Sequence, residues 1–147
     1  MRRWPERSSS NSLHLPVMVD KVVELVTDCP DGVFIDATVG AGGHLKAVFK
    51  AHGKRFQYLG FDLDKRILNQ TKKLFSQLEI EAELVNDNFK KIPWYLQRRG
   101  ITKISAILLD LGIGSFQIDD SSRGFSYLQD GPLSMTFDEA APLAASI

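Results

Sequence analysis

Between Phe34 and Lys50 the chain reads FIDATVGAGGHLKAVFK. A short apolar run ends on Asp36. Gly40, Gly42 and Gly43 then fall within four residues, and an amphipathic run follows. Glycine permits backbone angles closed to other residues and lets a ligand approach the main chain. A glycine-dense turn where a strand hands over to a helix is therefore the mark of an open α/β sheet, whose ligands bind beyond the carboxyl ends of its strands.

The rest of the chain repeats the same alternation. Apolar positions Met18, Val22, Leu25 and Val26 predict a helix over Pro16–Thr27. Strands are predicted at Val33–Ala37, Phe56–Phe61, Ala82–Val85 and Ile104–Leu109. Helices are predicted at Leu45–Ala51, Lys65–Leu78 and Phe89–Arg99. In the third helix Ile67, Leu68, Leu74, Phe75 and Leu78 share a face. Strands alternating with helices predict a mostly parallel sheet with right-handed crossovers. Ile104–Leu109 is almost continuously apolar, as for a strand covered on both faces. In the usual strand order 3-2-1-4 this strand would be sandwiched inside the sheet; with the later strands lacking a counterpart it becomes an edge, which predicts poor solubility, self-association or a partner chain covering it. After Leu111 periodicity fades into a loop-rich tail.

A nucleotide-binding unit places an acid for ribose hydroxyls about 20 residues beyond the glycine turn. Asp62, closing the second strand, stands at that distance. A dinucleotide fingerprint needs a third glycine where this chain has Leu45, and Asp36 would repel a pyrophosphate. The pair of acids suits a cationic adenosine cofactor such as S-adenosylmethionine, and disfavours a nicotinamide-dependent oxidoreductase.

Composition narrows the classes further. No apolar run reaches the roughly 18 residues of a membrane span. One cysteine, Cys29, excludes an internal disulfide, and three scattered histidines give no metal-ligand spacing. His14 and His52 read as surface residues, Cys29 as a passive turn residue and Trp94 as a core aromatic. The formal net charge is zero, yet residues 104–147 hold six acids and one base. The remainder is correspondingly basic, a weak signal for an anionic partner.

Several ordered motifs carry a more specific signal: His14-Leu-Pro-Val-Met, Asp36-Ala-Thr-Val-Gly-Ala-Gly-Gly-His44, Leu108-Leu-Asp-Leu-Gly-Ile-Gly-Ser115, Gln117-Ile-Asp-Asp120, and Arg123-Gly-Phe-Ser126 followed by Asp130-Gly-Pro-Leu133. Through them the chain resembles the small-subunit ribosomal RNA cytosine-N4 methyltransferases of the H type, also called MraW. The resemblance covers about Leu13 to Asp138. It implies a class I S-adenosylmethionine-dependent (Rossmann-like) fold, and methyl transfer to the exocyclic amine of a cytosine in the small ribosomal particle. It implies that Gly42, Gly43 and His44 line the cofactor, that Asp62 takes the ribose hydroxyls, that Phe89 packs near the adenine, and that Asp110 and Gln117 complete the far side. Asp110 is also the candidate proton acceptor. Arg123 is the leading RNA contact, with Arg2, Arg3, Arg7, Lys90, Lys91, Arg98 and Arg99 as further phosphate candidates. The compartment implied is the cytoplasm, or an organelle in a eukaryote.

The chain departs from the family in two respects. Pro132-Leu-Ser-Met-Thr-Phe-Asp138 stands where the family reads Pro-Leu-Asp-Met-Arg-Met-Asp, and the later strands and inserted helical domain have no counterpart before Ile147. Three parts are expected: a disordered basic leader over 1–12, an N-terminal portion of the methyltransferase core over 13–138, and a tail over 139–147. Weak or absent turnover by this chain alone is expected, with a catalytically inactive cofactor- or RNA-binding module as the alternative.

Overall fold

The computed structural model describes residues 16–137. Nine principal elements alternate along them: α1 (Val19–Thr27), β1 (Gly32–Asp36), α2 (Gly43–His52), β2 (Phe56–Asp62), α3 (Lys65–Gln77), β3 (Glu83–Asn86), α4 (Ile92–Arg98), β4 (Ile104–Leu108) and α5 (Ser115–Asp119). The four strands form one parallel sheet in the order β3-β2-β1-β4. This is the α/β fold and strand order expected from the sequence.

Alternation along each strand builds two cores. Phe34 lies opposite Tyr58 and Ala106, and these point to the face covered by α1, α2 and α3, where Val26, Leu45, Val48, Leu68 and Phe75 pack. Val33, Ile35, Leu59, Phe61 and Val85 point the other way, against Ile92 and Leu96 of α4. Asp64 caps α3 by accepting from the Arg66 and Ile67 amides, as a short acidic side chain does at a helix start. Pro93 sits in the first turn of α4, where its missing N–H is not needed.

Some expectations are corrected. Leu25 is exposed on the outer side of α1, and Leu78 is the partly exposed cap residue of α3. α4 begins at Ile92, preceded by a 3-10 turn over Phe89–Lys91. Trp94 is half-exposed under the Arg98 guanidinium rather than in the core, because the apolar face of α4 is set by Ile92 and Leu96. His52 is partly buried, its Nε2 3.4 Å from the Val23 carbonyl. Cys29 lies after α1 with its Sγ 3.5 Å from the Leu25 carbonyl. The stretch after β4 holds α5 and a 3-10 turn over Ser121–Arg123 rather than loop alone.

The continuous apolarity of β4 does not mean burial on both faces. Ala106 and Leu108 pack on the first core, while Ile107 is 52% exposed, because α4 does not reach across to this end of the sheet. The edge continues into exposed Leu109, Leu111 and Ile113. None of the helices among the described residues is long and apolar enough to cross a membrane. An unpaired apolar edge is a template for pairing with another strand. Replacing Ile107 by Lys is expected to shift the unfolding free energy by no more than about 0.5 kcal/mol while reducing concentration-dependent light scattering; equal scattering by both proteins would show that the edge drives no association.

Candidate cofactor site

The site grows from the carboxyl ends of β1, β2 and β4. The chain leaving β1 stays extended between its neighbours: the Ala37 amide donates to Leu108 O at 2.9 Å and the Val39 amide to Phe61 O at 2.8 Å. Gly40 then turns into the left-handed region (φ 48°) and its amide donates to Asp62 Oδ2 at 2.7 Å. The Gly40 carbonyl accepts from Thr71 Oγ1 of α3 at 2.7 Å. The second glycine serves packing. Gly42 has φ 79°, and a Cβ there would lie 2.6 Å from the Phe75 ring. Gly43 opens α2 and lies against Pro16, which leaves no room for a side chain. Close approach therefore has a different partner at each position: the Asp62 carboxylate at Gly40, α3 at Gly42 and the incoming chain at Gly43.

A cleft of about 440 Å³ opens above this turn, within the range of small-ligand sites. It brings together Gly43, His44, Asp62, Phe89, Asp110 and Gln117 of the residues singled out from sequence. Gly42 stands apart, buried beneath the turn against Phe75 and Thr71. Phe89 reaches the cleft from the second core. His44 is buried at the start of α2, with Nε2 3.5 Å from Asp110 Oδ2 and Nδ1 buried without a partner. The Asp110 amide donates to Thr38 Oγ1 at 2.8 Å. Gln117 is buried too; its Oε1 accepts from the Gly114 amide and its Nε2 donates to Asp64 Oδ2 at 3.0 Å.

The Arg123 side chain is largely buried. Its guanidinium is paired with the buried Asp64 carboxylate and donates to Thr136 O at 3.1 Å. This is at odds with a phosphate contact, because the charge is already neutralised inside the fold. Of the other basic candidates among the described residues, Lys91 pairs with Asp87, Arg99 with Glu83, and Arg98 lies over Trp94. Lys90 is exposed. Arg2, Arg3, Arg7 and His14 lie outside the described residues. The sequence reading passed over Asp64; its capping position before α3 was readable, its ties to residues 53 and 59 positions later were not.

Asp62, Asp87 and Asp110 line the cleft, and Asp36 lies buried within reach of the Asp62 and Asp110 charges. Burial pushes the Asp36 carboxyl up from 3.8 to about 7; the Thr38 and Leu45 amides oppose this, and the negative charges of Asp62 and Asp110 add to it. Burial also raises Asp62, against the hydrogen bonds it accepts from the Asp64 and Gly40 amides. Among the described residues lining the cleft there is no Lys or Arg. Such a site repels phosphate and favours a ligand carrying positive charge. Among the described residues no cluster of His, Cys, Asp or Glu could hold a metal ion.

A parallel sheet in this strand order, a glycine turn and an acid closing the second strand define the fold of class I S-adenosylmethionine-dependent methyltransferases. The chain belongs to the MraW methylase family, whose pattern matches residues 11–147. It is similar to proteins named ribosomal RNA small subunit methyltransferase H. That of Clostridioides difficile is 37% identical over 132 residues, 90% of this chain and 42% of the relative. That of Syntrophobacter fumaroxidans is 38% identical over 133 residues, 90% of this chain and 42% of the relative. That of Acidothermus cellulolyticus is 39% identical over 137 residues, 91% of this chain and 41% of the relative. The chain thus spans about two-fifths of the length of these curated relatives. A crystal structure from Clostridium thermocellum, titled as an rRNA-methylase, superposes with a TM-score of 0.55 at 19% identity, over 65% of this chain and 51% of that one. This last likeness is one of fold.

The Asp36 proton links the site to stability. The folded chain holds it up to about pH 7, whereas an unfolded carboxyl releases it near 3.8. The stability it contributes is present below that lower value and is lost as pH rises towards about 7. Urea unfolding should therefore show Asp36→Asn gaining stability over the parent at pH 8, with a smaller gain at pH 5. Parallel pH profiles for the two proteins would contradict the assignment.

Proposed function

We propose that this chain forms the cofactor-holding part of an enzyme that methylates the N4 amine of a cytosine in small-subunit ribosomal RNA, with S-adenosylmethionine as donor. The observation that carries the reading is that Asp62, Asp87 and Asp110 line one cleft whose described lining has no Lys or Arg, with buried Asp36 close enough to feel the charges of Asp62 and Asp110. The relatives' names supply the RNA class. The core is proposed to occupy residues 13–138. The limits drawn at 1–12 and 139–147 lie outside the described residues, and the cytoplasmic assignment is part of the same proposal.

The residues present fit a cationic adenosine ligand. Asp62, held by the Gly40 and Asp64 amides, keeps lone pairs for ribose hydroxyls. Phe89 offers an aromatic face for the adenine, while Gly43 and His44 bound the turn side of the cleft and Gln117 the far side. His44 Nδ1, buried and unpaired, has an unmet capacity for a polar ligand atom. When bound, the cofactor supplies an electrophilic methyl on a sulfonium.

Acceptance of that methyl requires the cytosine amine, whose lone pair is conjugated with the ring, to be held close and in line. Asp110 is the group placed to take a hydrogen bond from the amine N–H and later its proton. It is more than half-exposed, and His44 stands on its inner side. The base must be unstacked to reach the cleft. A second reading is a cofactor- or RNA-binding module without turnover. It is favoured by Ser134, which stands where the family pattern has an acid and whose hydroxyl is committed to the Arg123 carbonyl at 3.1 Å.

Calorimetry at pH 7 tests the cofactor assignment. S-adenosylmethionine should bind and NAD should not, and binding of the cation should release protons from the carboxylate cluster, seen as a dependence of heat on buffer ionisation enthalpy. S-adenosylhomocysteine, which lacks the sulfonium charge, should release fewer. No heat with either sulfur compound would defeat the proposal. Radiolabelled methyl transfer to small ribosomal particles, with Asp110→Asn as control, then separates the enzyme from the binding module.

A further inference from the structure

Asp64 is 2% exposed, and its two oxygens face different parts of the fold. Oδ1 accepts from the Arg66 amide at 3.1 Å and the Ile67 amide at 3.4 Å, capping α3. Oδ2 takes Gln117 Nε2 at 3.0 Å together with the guanidinium of Arg123. Arg123 in turn organises the chain that follows. Its carbonyl accepts from the Met135 amide and the Ser134 hydroxyl, both at 3.1 Å, and its second terminal nitrogen donates to Thr136 O. Gln117 Oε1 meanwhile holds the Gly114 amide at 2.9 Å.

One buried carboxylate thus ties residues 114–137 to the start of α3 at two points, with an outer pair, Arg66 and Asp120, at 3.7 Å. That segment supplies the cleft wall opposite the glycine turn, through Gly114, Phe116, Gln117 and Phe137. Its own apolar contribution is small: Tyr127, Leu128 and Leu133 are exposed. Polar anchoring therefore does what apolar burial does elsewhere in the domain.

We infer that Asp64 is a positioning residue: it fixes the wall formed by residues 114–137 and thereby sets the affinity of the cleft for its ligand. The second half of this statement rests on the cofactor assignment above. A wall in place for only a fraction of the time reduces apparent affinity by that fraction.

The test uses the full chain and two variants. Asp64→Ser keeps a good helix cap but is too short to hold Gln117 and Arg123. Arg123→Met removes the other partner and leaves α3 untouched, so it decides the matter if the first variant fails to fold. Hydrogen exchange should speed up across 114–137 by about tenfold or more in each variant, with the sheet and α3 unchanged. The dissociation constant for S-adenosylhomocysteine should rise about tenfold, as for a wall competent about a tenth of the time. The double variant should be no worse than Asp64→Ser alone, because that substitution already removes the link to Arg123. Unchanged exchange over 114–137 overturns the inference, as does a loosened wall with affinity intact. If the parent protein binds neither sulfur compound, the cofactor assignment fails and the exchange result alone decides the anchor.

Discussion

Everything at the ligand end of this domain depends on how the chain leaves β1. Three of the four residues from Ala37 to Gly40 are stitched to their surroundings through the backbone: Ala37 to β4, Val39 to β2, and Gly40 both to Asp62 and to Thr71 of α3. A buried backbone group without a partner is costly, and here each donor or acceptor finds one on a different element. The loop therefore has little freedom, and α2 begins at a fixed place. Gly42 is then required beneath the loop because Phe75 fills the space a side chain would need.

The same convergence creates the electrostatic character of the cleft. Parallel strands end side by side, so acids closing β1 and β2 and the one following β4 are brought together. Amides donate to the Asp36 and Asp62 carboxylates, yet burial and the charges of Asp62 and Asp110 hold Asp36 well above its ordinary range. Stability is thus given up at a point where a positive ligand would restore it, a common relation between strain and function.

Much of the fold was legible because the physics is local. Period-two and helical patterns located the elements, and the crossover rules left few strand orders. Motif residues at strand ends were legible as neighbours: Gly43, His44, Asp62 and Asp110, singled out from sequence, line the same cleft. Legibility failed where one residue could serve two environments. Trp94 and Arg123 are examples: an aromatic expected in the core lies half-exposed, and a base expected at the surface is paired with a buried carboxylate. Residue type gives a tendency, while depth depends on which neighbours arrive.

The sequence by itself determined the alternation of elements, the glycine turn and the acids at strand ends, because these depend on backbone preference and on spacing within a few tens of residues. Tertiary structure alone decided three things. It left one face of β4 uncovered at Ile107 despite the apolar run, placed Gly42 under α3, and joined Asp64 to Gln117 and Arg123 across 53 and 59 residues. Each of these depends on which surfaces meet once the sheet has formed. No spacing rule encodes that meeting, because partners distant in the chain are brought together only by packing.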